Sequence, residues 1–578
     1  MRSALLALGL ACSLLGAVVI PACGNPGEVD DEEEAGETGE DAYTMEGTCD
    51  GLPRLKTLKT PPGVCVGEVA KGFLFARGIV ETANGDLVLA EMGGWAQDRG
   101  GVWLLRRKAD KTFAKVRLMS QIDKPSGVAL GPDGLVYIGD PKNIFRIDPY
   151  ETVPREGPLP ATVRQPRLKL IVRDLPGDGR HPLKKFAFAK NEPWTLYVNV
   201  GSKSDNCEQG ASARPPEGFP LPCAEADGTN PRSAIRKYKL DGPDHTASGF
   251  TTIAKGLRNS MALVVHPVSG ALIQGENARD SVNKHDQSLT DQEGELPHEE
   301  LNVIVEGSHY GWPYCMDNGT PAPEYRGRVD CSRYTNPALL LPGHVSPLGM
   351  AYYTGSMFPA AYKNNLLVTY HGYRAHGHRL VLVPVDENGI PGGGQPLDVI
   401  RGWEKTADGQ NPVGSPVDVL VAKDGSIYVT EDKNGDVLRL YFDPSAGNGA
   451  PMRPEPPRQP VVSPEEAQRC NALAARTDSF SRVQKDVIDK ACVSCHGVGP
   501  GYAGGLRLDK CDAIGNAQRL TAPRTGNRPP YVIGGRLDSE LVLRIKGEGY
   551  PQMPAGGLSP EELEEVESWI REGAPVPR

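Results

Sequence analysis

The feature that most constrains the fold is a pattern of two β-rich runs joined by a turn, which recurs six times. The repeats cover residues 76–91, 126–140, 185–201, 261–276, 348–370 and 417–432. Several turns contain Asn-Gly or Asp-Gly, the pairs that suit the positive φ of a tight hairpin. One hairpin cannot bury both of its faces, so radial stacking of six units predicts a six-bladed β-propeller. A two-sheet sandwich is the alternative, and six similar hairpins favour the propeller.

A proline-rich segment divides the 578-residue chain into two folded regions. Residues 443–463 hold six prolines between Pro444 and Pro460 and predict a semi-rigid linker. Residues 49–442 before it form the predicted propeller. Residues 464–578 after it have the size of a small domain. Long inserts in the propeller, such as 203–232, should emerge as loops, where binding residues usually lie.

The N-terminus predicts export. Residues 1–22 read as a signal peptide, with Arg2 ahead of an apolar run over residues 4–20. Ile20-Pro21-Ala22-Cys23 resembles a bacterial lipobox, which predicts a lipid anchor at Cys23 and a membrane-attached protein facing the periplasm or cell surface. Ordinary secretory cleavage is the alternative. Residues 23–48 predict an acidic, flexible tether.

The charge distribution excludes one class of partner. The formal net charge is −10, and nine acidic residues between Glu28 and Asp41 supply most of it. The remainder of the chain is nearly neutral. It lacks the basic surplus that is typical of nucleic-acid binding, so no nucleic-acid partner is expected.

Export also makes disulfides expected among the 12 cysteines. Cys12 lies in the signal peptide, Cys23 is the proposed lipid site, and two more belong to the motif described next. Eight remain, and the sequence alone does not fix their connectivity. The simplest hypothesis joins sequential neighbours: Cys49 with Cys65, Cys207 with Cys223, Cys315 with Cys331, and Cys470 with Cys511.

The C-terminal region contains a C-x-x-C-H motif. Cys492 and Cys495 can bond to the two vinyl groups of haem while His496 ligates the iron. A thioredoxin-type dithiol would need a βαβ context, and a zinc site would need a second ligand pair, whereas His496 is the only histidine after His378. Met553, the only methionine between the linker and the C-terminus, is the predicted sixth iron ligand.

Two helix-start patterns flank the haem motif. Ser463-Pro464-Glu465-Glu466 and Ser559-Pro560-Glu561-Glu562 both place an N-cap serine before proline and acids. With the C-x-x-C-H motif, residues 465–575 resemble a class I cytochrome c domain. The resemblance implies a small all-α domain with one covalent haem c.

Several motifs in the propeller resemble the glucose/sorbosone dehydrogenase family of pyrroloquinoline quinone (PQQ) enzymes. They are Gly201-Ser202 with Asn206-Cys207, Arg258-Asn259 within GLRNSMALVVHPVSGAL, Glu299-Glu300-Leu301-Asn302, Tyr310-Gly311-Trp312-Pro313-Tyr314-Cys315, GHVSPLGMAYYTG at 343–355, and Tyr370-His371-Gly372. They occur in the family's order over residues 60–442 and are most similar to the sorbosone branch. The resemblance implies a six-bladed propeller that binds PQQ beside a Ca²⁺ and oxidises a sugar, aldehyde or related alcohol.

The same resemblance implies a catalytic residue. His181 matches the family's catalytic histidine, and a neutral imidazole can take a hydroxyl proton near pH 7. The alternative is an ordinary surface-loop histidine. The soluble glucose dehydrogenases have Asp just before this histidine, whereas this chain has Arg180. A carboxylate that orients the imidazole must then come from elsewhere, and Asp174 or Asp178 is the hypothesis.

The resemblance also implies the cofactor contacts. Arg258 and Asn259 match a pair that contacts PQQ, and an arginine fork suits the quinone carboxylates. Residues 276–280 match a Ca²⁺-binding loop, in which hard oxygen ligands are expected. Tyr310 and Trp312 are expected to pack. The remaining implied residues are Asn277, Arg279, His344, His371 and Arg374 for the cofactor, and Ala278 and Asp280 for the metal.

Three functions are consistent with these patterns. In the first, substrate reduces PQQ, the haem of the same chain accepts the electrons, and a downstream respiratory acceptor receives them. A Ca²⁺-dependent lactonase-type hydrolase would also use a propeller but would not explain the haem motif. A propeller that has lost PQQ and serves as a binding module is the non-enzymatic alternative, which Arg180 and the altered metal loop keep open.

Overall fold

The computed structural model describes residues 43–210, 212–292, 294–372, 376–392, 394–404, 412–454, 464–492, 506–524, 528–548, 550, 553 and 558–577. These residues form two compact units, one over 43–454 and one over 464–577. No helix within these ranges is long and apolar enough to cross a membrane.

The first unit is a six-bladed β-propeller, as the repeats predict. Blade 1 contains β4 (Ala76–Glu81), β5 (Leu87–Glu91), β6 (Gly100–Arg107) and β7 (Phe113–Ile122). Blade 2 contains β8 (Val128–Leu130), β9 (Val136–Gly139), β10 (Ile144–Ile147) and β11 (Lys169–Val172). Blade 3 contains β12 (Phe186–Phe188), β13 (Thr195–Val200), β14 (Ala234–Asp241) and β16 (Thr251–Lys255), with β15 (Thr246–Ala247) and β20 (Ser308–His309) at its edge.

The other three blades follow the same antiparallel plan. Blade 4 contains β17 (Ala262–Val265), β18 (Leu272–Glu276), β19 (His298–Val303) and β23 (Leu339–Gly343). Blade 5 contains β24 (Pro347–Tyr352), β25 (Leu366–Tyr370), β26 (Arg379–Val383) and β27 (Leu397–Ile400). Blade 6 contains β28 (Pro416–Val421), β29 (Ile427–Glu431), β30 (Asp436–Phe442) and β3 (Val64–Ala70).

Blade 6 closes the ring by joining the two ends of the propeller. Its outer strand β3 comes from the N-terminal side and pairs with β30, with Val64 opposite Phe442. Strands β2 (Leu52–Leu55) and β1 (Met45–Cys49) extend this sheet outward. Met452 also pairs with Asp398 through an isolated bridge. The folded contacts of this unit therefore reach beyond residues 49–442.

Each predicted hairpin forms the two inner strands of one blade. Gly85, Gly134 and Gly425 occupy the turns of three of them, with φ of 84°, 75° and 84°. These values lie in the region that glycine adopts without a Cβ clash. Alternate side chains of the strands are buried between blades; Val102 and Leu104 of blade 1, for example, share a cluster with Ile138 and Phe145 of blade 2.

The long insert after β13 packs against a second excursion after β20, which contains the hairpin β21 (Cys315–Met316) and β22 (Thr320–Pro321). The insert carries the short helix α1 (Ala224–Asp227). The hydroxyl of Tyr314 accepts a hydrogen bond from the Cys223 backbone N–H at 2.5 Å and donates to Asp227 at 2.6 Å. Short 3-10 helices complete the loops at Pro149–Glu151, Val282–His285, Gln287–Gln292, Pro323–Tyr325, Cys331–Arg333 and Ala360–Tyr362.

The structure pairs the eight remaining cysteines as the nearest-neighbour hypothesis expects. The four disulfides join Cys49 to Cys65, Cys207 to Cys223, Cys315 to Cys331, and Cys470 to Cys511. The first three each close a local loop of 16 residues. Two of them stabilise the insert and the excursion that packs on it.

The second unit is helical. Phe480 and Trp569 meet at its centre with ring centroids 4.5 Å apart. The predicted helix start at Ser559 is confirmed, because its hydroxyl and the Glu562 carboxylate form a reciprocal capping box. The helices are α2 (Pro464–Ala474), α3 (Ser479–Val483), a π-helix (Gln484–Cys492), α4 (Ala513–Thr521), α5 (Glu540–Lys546) and α6 (Pro560–Arg571).

Candidate functional site

The topology brings the predicted propeller residues to one end of the propeller. Successive strands of each blade run antiparallel. The loop between the second and third strands therefore lies at the same end of the propeller as the loop that leads into the next blade. His181, Arg258 and His344 precede innermost strands, whereas Asn277 and His371 follow second strands. All five therefore lie at this end, which we name the top face.

His181 is held through one ring nitrogen. Its side chain is buried, with the residue 6% exposed, and Nδ1 lies 3.0 Å from the carbonyl oxygen and 2.8 Å from Oγ of Ser202. No hydrogen bond from the described residues engages Nε2. Burial and the charges of Arg258 and Arg180 hold the pKa of His181 well below its usual range. The imidazole is therefore neutral at pH 7.

The hypothesis that Asp174 or Asp178 orients this imidazole is wrong. The Asp178 carboxylate instead accepts a hydrogen bond from Arg232, and Asp174 makes no hydrogen bond to His181. The physical reason is that β13 ends at the top face, where Ser202 closely follows it and meets the ring. The His181 ring therefore bonds to the neutral Ser202, where a carboxylate was expected.

Arg258 is the centre of a buried network on blade 4. Its Nη2 donates to Asp205 Oδ1 at 2.5 Å and to Asp280 Oδ2 at 2.9 Å. Its Nη1 donates to the carbonyl oxygens of Asn277 at 3.1 Å and Ala278 at 2.7 Å. Burial alone would lower the pKa of Arg258, but the charges of Asp205 and Asp280 raise it. Arg258 is thus a fixed cation, and Asp205 is a partner that the sequence did not single out.

Arg258 also bonds to the residues that are predicted to bind Ca²⁺. The Ala278 carbonyl and the Asp280 carboxylate have the right oxygen chemistry, but both accept hydrogen bonds from Arg258. The described residues contain no group of three or more His, Cys, Asp or Glu side chains arranged to hold a metal ion. In this arrangement the residues do not fit a Ca²⁺ ion, and no step is derived from one.

Two amide oxygens beside Arg258 have no hydrogen-bond donor among the described residues. They are Oδ1 of Asn259 and Oδ1 of Asn277, both buried. The Asn277 backbone N–H donates to the Asn259 carbonyl at 3.0 Å, so the two residues are neighbours. An unsatisfied buried acceptor costs on the order of 1–3 kcal/mol, so this pair fits a ligand that donates hydrogen bonds.

Two buried glutamates support the loops that carry these amides. Glu276 accepts from the Asn259 backbone N–H at 3.2 Å, and Glu299 accepts from those of Ala278 at 2.5 Å and Ser346 at 3.3 Å. Burial raises the pKa of Glu299 to about 8. These side chains tie the top-face loops of blades 4 and 5 together.

Arg279 is engaged elsewhere. Its Nη1 donates to Glu324 Oε2 at 2.5 Å, and Asn206 Nδ2 donates to the same oxygen at 2.8 Å. Its Nε donates to the Asp280 carbonyl at 3.2 Å. The Arg279 guanidinium thus joins the loop at 276–280 to the excursion after β20. Its hydrogen bonds are made to the protein itself.

A carboxylate–imidazole pair does occur, at His371. Its Nε2 lies 3.1 and 3.2 Å from the two oxygens of Asp432, and Arg77 Nη2 lies 3.3 Å from Asp432. Burial would raise the pKa of Asp432, but the charges of His371 and Arg77 lower it. The sequence interpretation missed Arg77, near the start of the predicted run 76–91, and Asp432, at the end of the run 417–432.

The structure separates the remaining predicted residues. His344 Nε2 lies 3.1 Å from the Leu296 carbonyl, in a loop between β23 and β24. Trp312 packs as expected and donates from Nε1 to the Asp205 carbonyl at 2.9 Å. Met553 is half-buried in the helical unit, and Cys492 ends the π-helix outside the four disulfides. Arg374, Cys495 and His496 lie outside the described residues.

An apolar cluster adjoins these polar groups. It is built from residues near the starts of innermost strands in five blades, together with Met92. Leu183 and Met261 follow His181 and Asn259 by two residues, so the cluster underlies them. Trp95 packs against it, with Nε1 buried and without an acceptor among the described residues. Its members from the innermost strands are Phe75, Leu183, Met261, Leu348 and Val417.

Comparison with known proteins finds one matching family model, described as TrAA12-like, over residues 58–327. A pyrroloquinoline quinone-dependent sugar dehydrogenase of Hypocrea jecorina is 23% identical over 435 residues, covering 66% of this chain and 88% of that protein. An uncharacterized protein of Borreliella burgdorferi is 27% identical over 202 residues, covering 33% of this chain. The chain spans about half the length of that protein, 48%.

Solved structures share the propeller. The holo form of the pyranose dehydrogenase PQQ domain from Coprinopsis cinerea aligns with a TM-score of 0.51 and 19% identity, over 66% of this chain and 97% of that one. The calcium structure of the Trichoderma reesei family AA12 enzyme aligns with a TM-score of 0.52 and 18% identity, over 71% and 100%. The TM-scores establish a shared fold, and identities this low support no statement beyond the fold. Together, the comparisons show that the chain resembles the PQQ-dependent sugar dehydrogenase family.

Proposed function

We propose that the propeller is a PQQ-dependent oxidoreductase that oxidises a sugar or a related aldehyde or alcohol. The observation that carries the proposal is the top-face arrangement of a neutral His181 with an unengaged Nε2 and the fixed cation Arg258. The resemblance to sugar dehydrogenases supports the same chemistry.

The residues present fit a flat, carboxylated quinone. The pyrrole N–H of the quinone would donate to one of the unpartnered oxygens of Asn259 and Asn277, and Arg258 would fix the loop that carries Asn277. The apolar cluster around Leu183 and Met261 would pack against its rings. When bound, PQQ supplies a two-electron acceptor for the hydride that leaves the substrate carbon.

The protein's own part is to bind the substrate and remove its hydroxyl proton. Nε2 of His181 is the proposed acceptor, because the ring is neutral at pH 7 and its other nitrogen is already engaged. The substrate O–H bond breaks, the proton moves to Nε2, and the electron pair of the C–H bond leaves as hydride. Burial of the ring excludes water from the side that Ser202 covers.

His371 is a second candidate for the proton acceptor. Asp432 orients its imidazole and would stabilise it once protonated, an advantage that His181 lacks. Its Nε2 is however already bonded to that carboxylate and so is not placed to accept a substrate proton. We assign His371 to the cofactor pocket and keep it as the comparison residue for the experiments below.

The helical unit is proposed to carry one covalent haem c. The support is the Cys492–His496 motif, the single methionine Met553 after the linker, and a disulfide-linked helical unit of suitable size. The haem would take electrons from the propeller one at a time and pass them to a respiratory acceptor. Export and a lipid anchor at Cys23, which the N-terminal sequence predicts, would place this transfer at a membrane surface.

Reconstitution tests the proposed function. The full chain is loaded with PQQ, with and without Ca²⁺, and assayed for reduction of an electron-accepting dye over a panel of aldoses, aldehydes and alcohols. The proposal expects PQQ-dependent dye reduction with at least one of them. Lactone hydrolysis without PQQ would favour the hydrolase. PQQ binding without turnover of any panel member would favour a binding module.

A further inference from the structure

We propose that Ser202 fixes the tautomer of His181, so that its Nδ1 carries the hydrogen and its Nε2 keeps the lone pair. Ser202 is in this account a positioning residue, since it touches neither substrate nor cofactor. The inference rests on the proposed role of His181 as the base. It assigns to one insert of the propeller the task of orienting that base.

The hydrogen-bond pattern allows only one arrangement of hydrogens. The Ser202 carbonyl is an acceptor, so the Nδ1 that lies 3.0 Å from it must be the donor. The Ser202 hydroxyl donates its single hydrogen to the Ser204 carbonyl at 2.7 Å. Its oxygen can therefore only accept from Nδ1, at 2.8 Å. Both contacts require a hydrogen on Nδ1, which in a neutral ring leaves Nε2 unprotonated.

The position of Ser204 is itself fixed. Its hydroxyl donates to Glu225 Oε1 at 2.6 Å, and its backbone N–H donates to Glu225 Oε2 at 3.1 Å. The Cys207 backbone N–H donates to the same hydroxyl at 2.9 Å. Glu225 lies in α1, which begins directly after Cys223, the disulfide partner of Cys207. The disulfide-closed insert thus supports Ser202 through Ser204.

Close packing keeps the ring against this partner. A Cβ added to Gly201 would lie 2.5 Å from Cβ and 2.6 Å from the carbonyl oxygen of His181, so the backbone at 201 and 202 already touches the histidine. Ser202 itself is fully buried. A neutral partner adds no charge that would hold a proton on the ring. After the transfer, Ser202 therefore supplies no counter-charge that would retain the proton on the ring.

The test reads the tautomer directly, without any cofactor. The full chain is labelled with ¹⁵N at histidine, and two-dimensional long-range spectra give the shifts of both ring nitrogens. The His181→Gln variant identifies the signal by its disappearance. The expected result is a protonated Nδ1 and an unprotonated Nε2 in the wild type at pH 7. The opposite tautomer would overturn the proposal, even if no variant of Ser202 folds.

Variants then test whether Ser202 is responsible. Ser202→Ala removes the hydroxyl but leaves the carbonyl, so both nitrogen shifts should move only part of the way toward a mixture. It should lower kcat by about twofold or more, because the rate follows the fraction of the competent tautomer. KM should stay within about twofold, since substrate binding is not removed. Ser202→Thr, which keeps a hydroxyl, should restore the shifts.

The matched control is Ser426→Ala. Ser426 is also fully buried, and its hydroxyl bonds to Asp424 and Arg439 at the opposite end of blade 6. This variant should leave the His181 shifts and kcat unchanged. Unchanged shifts in Ser202→Ala would overturn the role of the Ser202 hydroxyl. Full activity in His181→Gln would instead refute the proposed function, while the spectra still report the tautomer.

Discussion

Nη1 of Arg258 lies 2.7 Å from the carbonyl oxygen of Ala278, the atom that the sequence predicts as a Ca²⁺ ligand. The guanidinium also bonds to Asp280, the second predicted metal ligand. One side chain thus satisfies the oxygens that a divalent cation would require. Arg258 thus occupies the place where a metal ion was expected, and the carboxylates of Asp205 and Asp280 balance its charge.

Replacing Arg258 should weaken retention of PQQ. Arg258→Lys keeps one positive charge but loses the fork that reaches Asp205, Asp280 and the two carbonyls. Losing these bonds should loosen the loop at Asn277 and Ala278 that would contact the quinone, so the Kd for PQQ should rise about 10- to 100-fold. Equilibrium dialysis of the full chain with PQQ measures it. Excess quinone should restore part of the activity.

The control for this variant is Arg146→Lys. Arg146 donates to Asp133 at 2.9 Å in blade 2, at the end opposite the top face. The Arg146→Lys variant should bind PQQ with the same Kd as the wild type. Equal Kd values for Arg258→Lys and the wild type would contradict the assignment of Arg258 to the cofactor.

The acid limb of the pH–rate profile should lie below the usual histidine range. Burial and the charges of Arg258 and Arg180 lower the pKa of His181, and a base works only in its neutral form. As pH falls, the enzyme should therefore stay active past pH 6.5 and lose kcat/KM only below it. A profile of kcat/KM against pH with PQQ saturating measures this. An acid limb centred above pH 6.5 would contradict a neutral His181 as the base.

Lys184 should make stability depend on pH. Its Nζ is buried and donates to the carbonyls of Pro176 and Pro182, on either side of His181. Burial and the charges of Arg232 and Arg236 lower its pKa to about 7. The unfolded chain keeps the ordinary lysine pKa near 10.5, so between pH 7 and 10.5 it binds more protons than the folded state. The Lys184 contribution should therefore rise with pH across this window.

Thermal unfolding of Lys184→Met from pH 7 to 10 tests this contribution. The rise attributed to Lys184 should disappear from the Tm-against-pH curve of the variant. Lys423→Met is the matched control, because its ammonium also bonds to two carbonyls, those of Thr82 and Ala83, at a more exposed place. The same pH dependence in wild type and Lys184→Met would contradict a lowered pKa.

The haem should be covalent and low-spin. Cys492 and Cys495 would form thioether bonds, so acid–acetone extraction should leave the haem on the protein. Cys495→Ala with Cys492→Ala should abolish attachment. In Met553→Ala the reduced absorbance spectrum should change, because a methionine ligand is lost. Extractable haem in the wild type would refute attachment, and an unchanged spectrum in Met553→Ala would remove that ligand.

Much of the fold follows from local sequence pattern. The six hairpins are short-range features, and glycines such as Gly85 and Gly134 specify their turns. The disulfides were predictable because three of them close loops of only 16 residues. The pairing of β3 with β30 was not, because it joins residues nearly four hundred positions apart.

The site was predicted less completely, for the same reason. His181 and Arg258 carry a resemblance in their own motifs, but their partners come from other loops. Ser202 reaches His181 because β13 of the same blade ends at the top face. Arg77 and Asp432 are 355 positions apart in the chain and meet only after blade 6 closes on blade 1. A motif also does not show whether the side chain that bonds to its histidine is charged. For that reason a carboxylate was expected at the position that Ser202 occupies.

The most direct measurement of the central claim compares His181→Asn with His371→Asn in the PQQ-saturated full chain. A general base contributes about 10²- to 10⁴-fold, so kcat/KM for dye reduction should fall by at least about 100-fold in His181→Asn. His371→Asn should act mainly through weaker PQQ binding and recover at higher PQQ concentration. Activity retained in His181→Asn and lost without recovery in His371→Asn would contradict the account.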